Sequence, residues 1–133
     1  RNAESLKLED RVVFCDGDLL EPFRTEKFIG QVDMLTCNPP YISSGKLESM
    51  PKEIIDHEPE MAFNGGPFGI SILSRLIKQT PTFVRSGGWL AFEVGAGQGP
   101  GVQRMLERNP HYGEIKTLND EDGQIRAILT QVI

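Results

Sequence analysis

Cysteine and histidine are scarce in this sequence, at two residues each. No C-x-x-C or Cys/His ligand spacing is present, so no metal site is expected. Cys15 and Cys37 both sit in apolar, strand-like runs. They read as buried free thiols of a reducing compartment. His57 and His111 stand apart from each other and read as surface histidines. No stretch approaches the roughly 18 apolar residues of a membrane span. The opening Arg1-Asn2-Ala3-Glu4 has no apolar h-region, so neither a signal peptide nor a membrane partner is expected, and the location expected is cytoplasmic. Positive charge is also in deficit, with a formal net charge of −5. That argues against wrapping nucleic acid with a broad basic face, although a local basic patch inside an acidic total remains open.

What is present is one domain's worth of ordinary globular sequence: 133 residues, 38% hydrophobic and 25% charged. Strands and helices alternate along it. Arg11–Cys15 is a short β-rich run closed by Asp16-Gly17-Asp18. Val32–Cys37 is a second, stopped by Asn38-Pro39-Pro40, because two consecutive prolines cannot donate to a ladder. The spacing of Ile70, Leu73, Leu76, Ile77 and Thr80 predicts a helix over Gly69–Val84, with Pro81 stopping or kinking it near its end. Ser86-Gly87-Gly88 reads as a turn and Trp89–Val94 as a strand covered on both faces. Val102–Asn109 reads as a short helix. Tyr112–Leu118 and Ile125–Val132 flank a dense turn, Asn119 to Gly123, and predict an antiparallel hairpin. The sum is an α/β fold with a mixed sheet. The long polar stretch Ser43–Phe68 has the length of a functional loop.

The strongest chemical signal is Asn38-Pro39-Pro40-Tyr41, set directly after a strand. By composition this tetrapeptide should occur by chance in about one chain in a few thousand of this length. Open α/β sheets place ligands outside the carboxyl ends of their strands, where this loop falls. An amide nitrogen is a poor nucleophile because its lone pair is delocalised into the carbonyl. Two acceptors aimed at its N–H groups would hold it and favour a more pyramidal nitrogen. The Asn38 side-chain oxygen can be one and the Pro39 carbonyl, fixed by the ring-locked backbone, the other. Tyr41 offers a flat face for a planar amide or a base. The plain alternative is a stiff turn that only caps the strand.

At these residues the sequence resembles the release-factor glutamine N5-methyltransferases of the HemK/PrmC type. The likeness runs through the chain in order. Asn2-Ala3 resembles the end of the helix after the family's second strand, and Gly17-Asp18-Leu19-Leu20 its acidic loop after strand three. Asp33 to Ile42 resembles strand four and the catalytic loop. His57-Glu58-Pro59 with Ala62, Gly65-Gly66 and Gly69 resembles its E-P-x-x-A-L-x-G-G-x-x-G segment. Phe92-Glu93-Val94-Gly95 with Gln98 resembles strand five's E-x-G-x-x-Q, and Asp120 to Arg126 the closing D-x-x-G-x-x-R hairpin. Phe63, where leucine is usual, and Pro67-Phe68, where an acid before glycine is common, depart from the pattern.

The resemblance implies the second half of a Rossmann-like S-adenosylmethionine-dependent methyltransferase fold. Residues 1–133 would be the C-terminal portion of the catalytic domain, without the N-terminal cofactor-binding strands. It implies catalytic roles for Asn38, Pro39, Pro40 and Tyr41. It implies cofactor binding by Asp18, Leu19 and Asn38, and substrate binding by Asn38, Pro39, Tyr41 and Glu58. Two readings of Asp18 stand side by side, a wall of the cofactor site or a turn aspartate bonded to its own backbone. Glu58 is also readable as a solvated loop acid. Glu93 is readable as a strand-end acid of the site or as the partner of a nearby base. Gly95–Gly99 lacks the context of a phosphate loop. The cofactor implied is S-adenosyl-L-methionine, and the partner a peptide-chain release factor methylated on a glutamine amide. Adenine N6-methylation of nucleic acid is the rival reaction, and an inactive fragment the non-enzymatic reading. In the family's sheet order three, two, one, four, five, seven, six, a chain beginning at strand three leaves that strand without its partner. Strand four is then left as a free edge that invites self-association.

Overall fold

The computed structural model describes residues 1–49 and 59–133. Its centre is a four-stranded mixed sheet. β1 (Val32–Cys37), β2 (Val84–Glu93), β3 (Tyr112–Asn119) and β4 (Ile125–Val132) lie in the spatial order β1-β2-β4-β3. β1 and β2 run parallel, while β4 is antiparallel to both β2 and β3. This is the order four, five, seven, six expected for the second half of the methyltransferase sheet. A parallel pair needs a crossover, which contains α2 (Ser71–Phe83). Two further α-helices among the described residues are α1 (Asn2–Ser5) and α3 (Gly99–Glu107).

α2 forms because its apolar positions recur at helical spacing, and Leu73, Leu76, Ile77, Thr80 and Phe83 are buried. Leu90, Val94, Val102, Leu106 and Ile128 meet them from the sheet and α3 in one core. Pro81 lies inside α2 rather than ending it. A proline there leaves the carbonyl four residues back without its N–H donor. That carbonyl belongs to Ile77, and the buried Tyr112 hydroxyl donates to it at 2.6 Å. The hairpin thus supplies the bond that the proline removes. Burial also pushes the Tyr112 phenol far above its ordinary value, so it stays a donor. Tyr112→Phe is expected to cost about 1–3 kcal/mol, the penalty for a buried carbonyl left unpaired. Denaturant unfolding of the variant checks this.

Three features differ from expectation. Ser86-Gly87-Gly88 is not a turn ahead of the strand but part of β2. Between the pairs Val32–Val84 and Met34–Trp89, β2 advances farther than β1, so the turn residues are looped out as a bulge. α3 begins at Gly99, earlier than the apolar pattern suggests, because Pro100 in the first turn is pre-set for helix and needs no N–H partner there. Arg11–Cys15 forms no strand. Strand propensity is realised only against a partner, and this run pairs with none among the described residues. Val13 and Phe14 are consequently exposed, and so is Cys15, contrary to the buried thiol expected. Cys37 is half-buried, and burial raises its thiol pKa, so it stays protonated. Among the described residues β1 pairs with β2 alone, so its other edge carries no strand from them. Among the described residues no helix is long and apolar enough to cross a membrane.

Candidate active site

The loop Asn38–Tyr41 leaves the carboxyl end of β1, beside the carboxyl end of β2, where Cys37 is opposite Phe92. Pro39 is buried and anchors the loop, whereas Asn38 is exposed. The Asn38 side chain makes no hydrogen bond to any described residue. Tyr41 turns its ring onto Gly95, where an added Cβ would come within 2.9 Å of Cδ2. The closeness of that approach requires glycine. Burial, followed by the neighbouring Glu93 carboxylate, raises the pKa of the Tyr41 phenol, so the ring is neutral. Arg126 holds Glu93, with Nη2 donating to Oε1 at 3.3 Å and Nε to the Val94 carbonyl at 3.2 Å. Glu93 is therefore the partner of a base, and that base lines the same end of the sheet.

Beyond Tyr41 the chain zips onto residues 60–69. Ile42 N–H donates to Phe63 O at 3.0 Å, and Gly65 N–H to Ile42 O at 2.8 Å. Asn64 locks the contact: its Oδ1 accepts from Ser44 Oγ at 3.0 Å and from Gly66 N–H at 2.9 Å. Gly69, with φ of +70°, lies so close to Tyr41 that a Cβ would land on the Tyr41 carbonyl. Gln98 closes the arrangement, its Nε2 donating to that same carbonyl at 2.8 Å.

Two cavities meet at this loop. A small one of about 160 Å³ is walled by Asn38, Pro39, Pro40, Tyr41, Ile42, Ala62 and Phe63. A larger one of about 760 Å³ lies across Pro40, walled by Asp16, Asp18, Leu19, Glu60, Met61 and Ile72 among others. The first suits a planar amide. The second has a cofactor's dimensions, since ligand sites run to roughly 300–1,000 Å³. Its carboxylate acceptors and apolar Leu19, Met61 and Ile72 fit the hydroxyls and the ring of a nucleoside. A third cavity of about 360 Å³ follows the edge of β1, between Phe23, Phe28, Met34, Leu35 and Phe83, as far as Cys37, and shares Leu19 with the larger one.

The structure thus brings Asn38, Pro39, Pro40 and Tyr41 together and puts Asp18 and Leu19 on the wall of the adjoining cavity. Asp18 does not bond its own backbone through its carboxylate. It pairs with Arg75 at 2.5 Å and stays 64% exposed, so it is held without being hidden from a ligand. Glu58 and His57 lie outside the described residues. Phe63 fills the back of the small cavity, while Phe68 is 84% exposed at φ of +58°. His111 is on the surface. Gly95–Gly99 carries the chain from β2 into α3. Gln98, Arg126 and Arg75 are the site neighbours to which sequence reasoning assigned no role. The fixed places of Gln98 and Arg126 in their motifs were the available signal.

No family model matches the chain. Curated relatives do. A release factor glutamine methyltransferase of Synechocystis is 36% identical over 119 residues, covering 90% of this chain and 39% of its own. One of Gloeobacter violaceus is 36% identical over 129 residues, covering 97% and 44%. One of Bacillus cereus is 31% identical over 131 residues, covering 98% and 45%. The chain spans less than half the length of these relatives. Among solved structures, the E. cuniculi Mtq2–Trm112 complex responsible for methylation of the eRF1 translation termination factor shares the fold. Its TM-score is 0.57 at 18% identity, covering 98% of this chain and 67% of that one. Over nearly all of its own length, this chain is similar to release factor glutamine methyltransferases.

Proposed function

We propose that residues 1–133 are the C-terminal part of the catalytic domain of an S-adenosylmethionine-dependent N-methyltransferase. Its acceptor is the side-chain amide nitrogen of a glutamine in a peptide-chain release factor, and its location is the cytoplasm, where such a factor works. The observation that carries this reading is the Asn38 carboxamide. It has no hydrogen-bond partner among the described residues and stands on a proline-stiffened loop between an amide-sized and a cofactor-sized cavity.

The roles follow from the atoms. Asn38 Oδ1 accepts one N–H of the acceptor amide, and the Pro39 carbonyl, which accepts no hydrogen bond from the described residues, takes the other. The neutral Tyr41 ring stacks against the amide plane. Asp18 and Leu19 line the nucleoside end of the larger cavity. Bound there, S-adenosylmethionine would supply a methyl group whose bond to the sulfonium sulfur breaks as the N–C bond forms, its electron pair leaving with a neutral thioether. The chain's contribution is alignment: the nitrogen is held so that its lone pair points across Pro40 into the larger cavity. One proton leaves the nitrogen as the new N–C bond replaces an N–H. It departs to solvent at the exposed Asn38 edge, since Glu93 is already engaged by Arg126. Glu58 is proposed to contact the protein acceptor.

Radiolabel transfer by the full-length protein, with release factor and DNA offered side by side, tests the acceptor class. Label is expected in the release factor. Preferential labelling of DNA would replace this reading with adenine N6-methylation.

A further inference from the structure

We propose that Gln98 is a positioning residue for the acceptor-binding loop, acting through the Tyr41 backbone. The inference rests on the functional reading above and assigns a role that the reading does not use.

Gln98 occupies the N-cap position of α3, where a side chain ordinarily caps the helix. Its side chain makes no such bond. The carboxamide is turned to the loop instead, and both of its ends are occupied. Oε1 accepts from Gly95 N–H at 2.9 Å, which fixes the plane of the group against the end of β2. Nε2 then points at three carbonyls: Tyr41 at 2.8 Å, Gly69 at 3.2 Å and Phe68 at 3.3 Å. One planar amide therefore ties together the acceptor loop, the 67–69 turn and the strand that carries Glu93. The contact reaches 57 residues along the sequence. Gly69 and Gly95 carry no side chain where a Cβ would meet both Gln98 and Tyr41, so the backbone is built around this group. Tyr41 is held at two points as a result. Its carbonyl is fixed by Gln98, and its ring lies between Gly95 and the Glu93–Arg126 pair. With Tyr41 fixed, and Pro39 and Pro40 unable to rotate about φ, the position of Asn38 is set as well.

Only an amide meets both demands. A carboxylate of the same shape keeps the acceptor for Gly95 N–H but faces the three carbonyls with negative charge and no donor. Its pKa would be pushed up by that crowding, and once protonated it regains one donor for the Tyr41 carbonyl. Gln98→Glu should therefore be impaired at high pH and recover as pH falls, whereas Gln98→Leu should be impaired at every pH.

The experiment uses the full-length protein in wild-type, Gln98→Glu and Gln98→Leu forms. Turnover, KM for the release factor and the cofactor dissociation constant are measured between about pH 5.5 and 8.5. Amide exchange at Ile42 and Gly65 is followed in the same samples. Turnover is expected to fall on the order of tenfold in both variants at pH 8, with cofactor affinity within about twofold of wild type. The deficit should narrow towards low pH for Gln98→Glu alone. Faster exchange at Ile42 and Gly65 should follow the same pattern. Turnover within about twofold of wild type in both variants, or identical pH profiles for Glu and Leu, overturns the proposal. The exchange arm needs no acceptor. A wild-type protein that transfers no methyl to release factor overturns the functional reading, while pH-dependent loosening in Gln98→Glu still supports the tie. Unchanged exchange in both variants refutes it.

Discussion

Asn38→Ala in the full-length enzyme is expected to lower turnover by about a hundredfold, the scale seen when one preorganised electrostatic contact to a reacting group is removed. Cofactor affinity should change by less than about threefold. The reason is positional. Asn38 is exposed, bonds to no described residue and contributes nothing to the core, so its removal leaves the scaffold intact. What is lost is an acceptor for the substrate N–H, an interaction that strengthens as the nitrogen becomes pyramidal, and such a loss appears in turnover. Tyr41→Phe should be mild by comparison. The ring still covers Gly95, and Arg126 still holds Glu93 when the phenol oxygen is gone. Tyr41→Ala removes the stacking face and should approach the Asn38 variant. Steady-state kinetics with a glutamine-bearing acceptor measures all three. Near wild-type turnover in Asn38→Ala would remove the central assignment.

Residues 1–133 expressed alone are expected to bind S-adenosylmethionine at least about a hundredfold more weakly than the full-length protein, a loss of roughly 3 kcal/mol or more. Among the described residues β1 is hydrogen-bonded on one side only, and the Asn38–Tyr41 loop hangs from it. The apolar 360 Å³ groove beside that edge, and the 52% exposed Met34 on the strand, are left open by the described residues. A free, apolar strand edge also favours association, so oligomers at high concentration are expected. The Arg11–Cys15 run is expected to stay detached until a neighbouring strand is supplied. Calorimetric titration with a parallel measurement of mass in solution checks both points. Micromolar binding by a monomer would show that Asp18, Leu19 and the Asn38 loop suffice to hold the cofactor.

Local rules made much of the fold legible. Asn38-Pro39-Pro40 had to end a strand because proline lacks the ladder donor, and β1 does end at Cys37. The 3.6-residue period of Leu73, Leu76, Ile77 and Thr80 gave α2, and the polar cluster Asn119–Gly123 gave the hairpin. What stayed hidden depends on partners distant in sequence. The bulge in β2 follows from pairing with β1, which Ser86-Gly87-Gly88 does not disclose on its own. Pro81 breaks helices in general, and the Tyr112 hydroxyl that takes over the Ile77 carbonyl lies 35 residues away in sequence. At the site, the Asn-Pro-Pro-Tyr loop was visible because its chemistry is packed into consecutive residues. Gln98 and Arg126 act across 57 and 33 positions, so spacing alone could not show what they hold.

The most direct test of the account is to locate the methyl group. Release factor incubated with the full-length enzyme and isotopically labelled S-adenosylmethionine is digested and sequenced by tandem mass spectrometry. The label should sit on the side-chain nitrogen of a glutamine and be nearly absent with the Asn38→Ala enzyme. Label on a carboxylate, a lysine or a nucleobase, or undiminished label with Asn38→Ala, would contradict it.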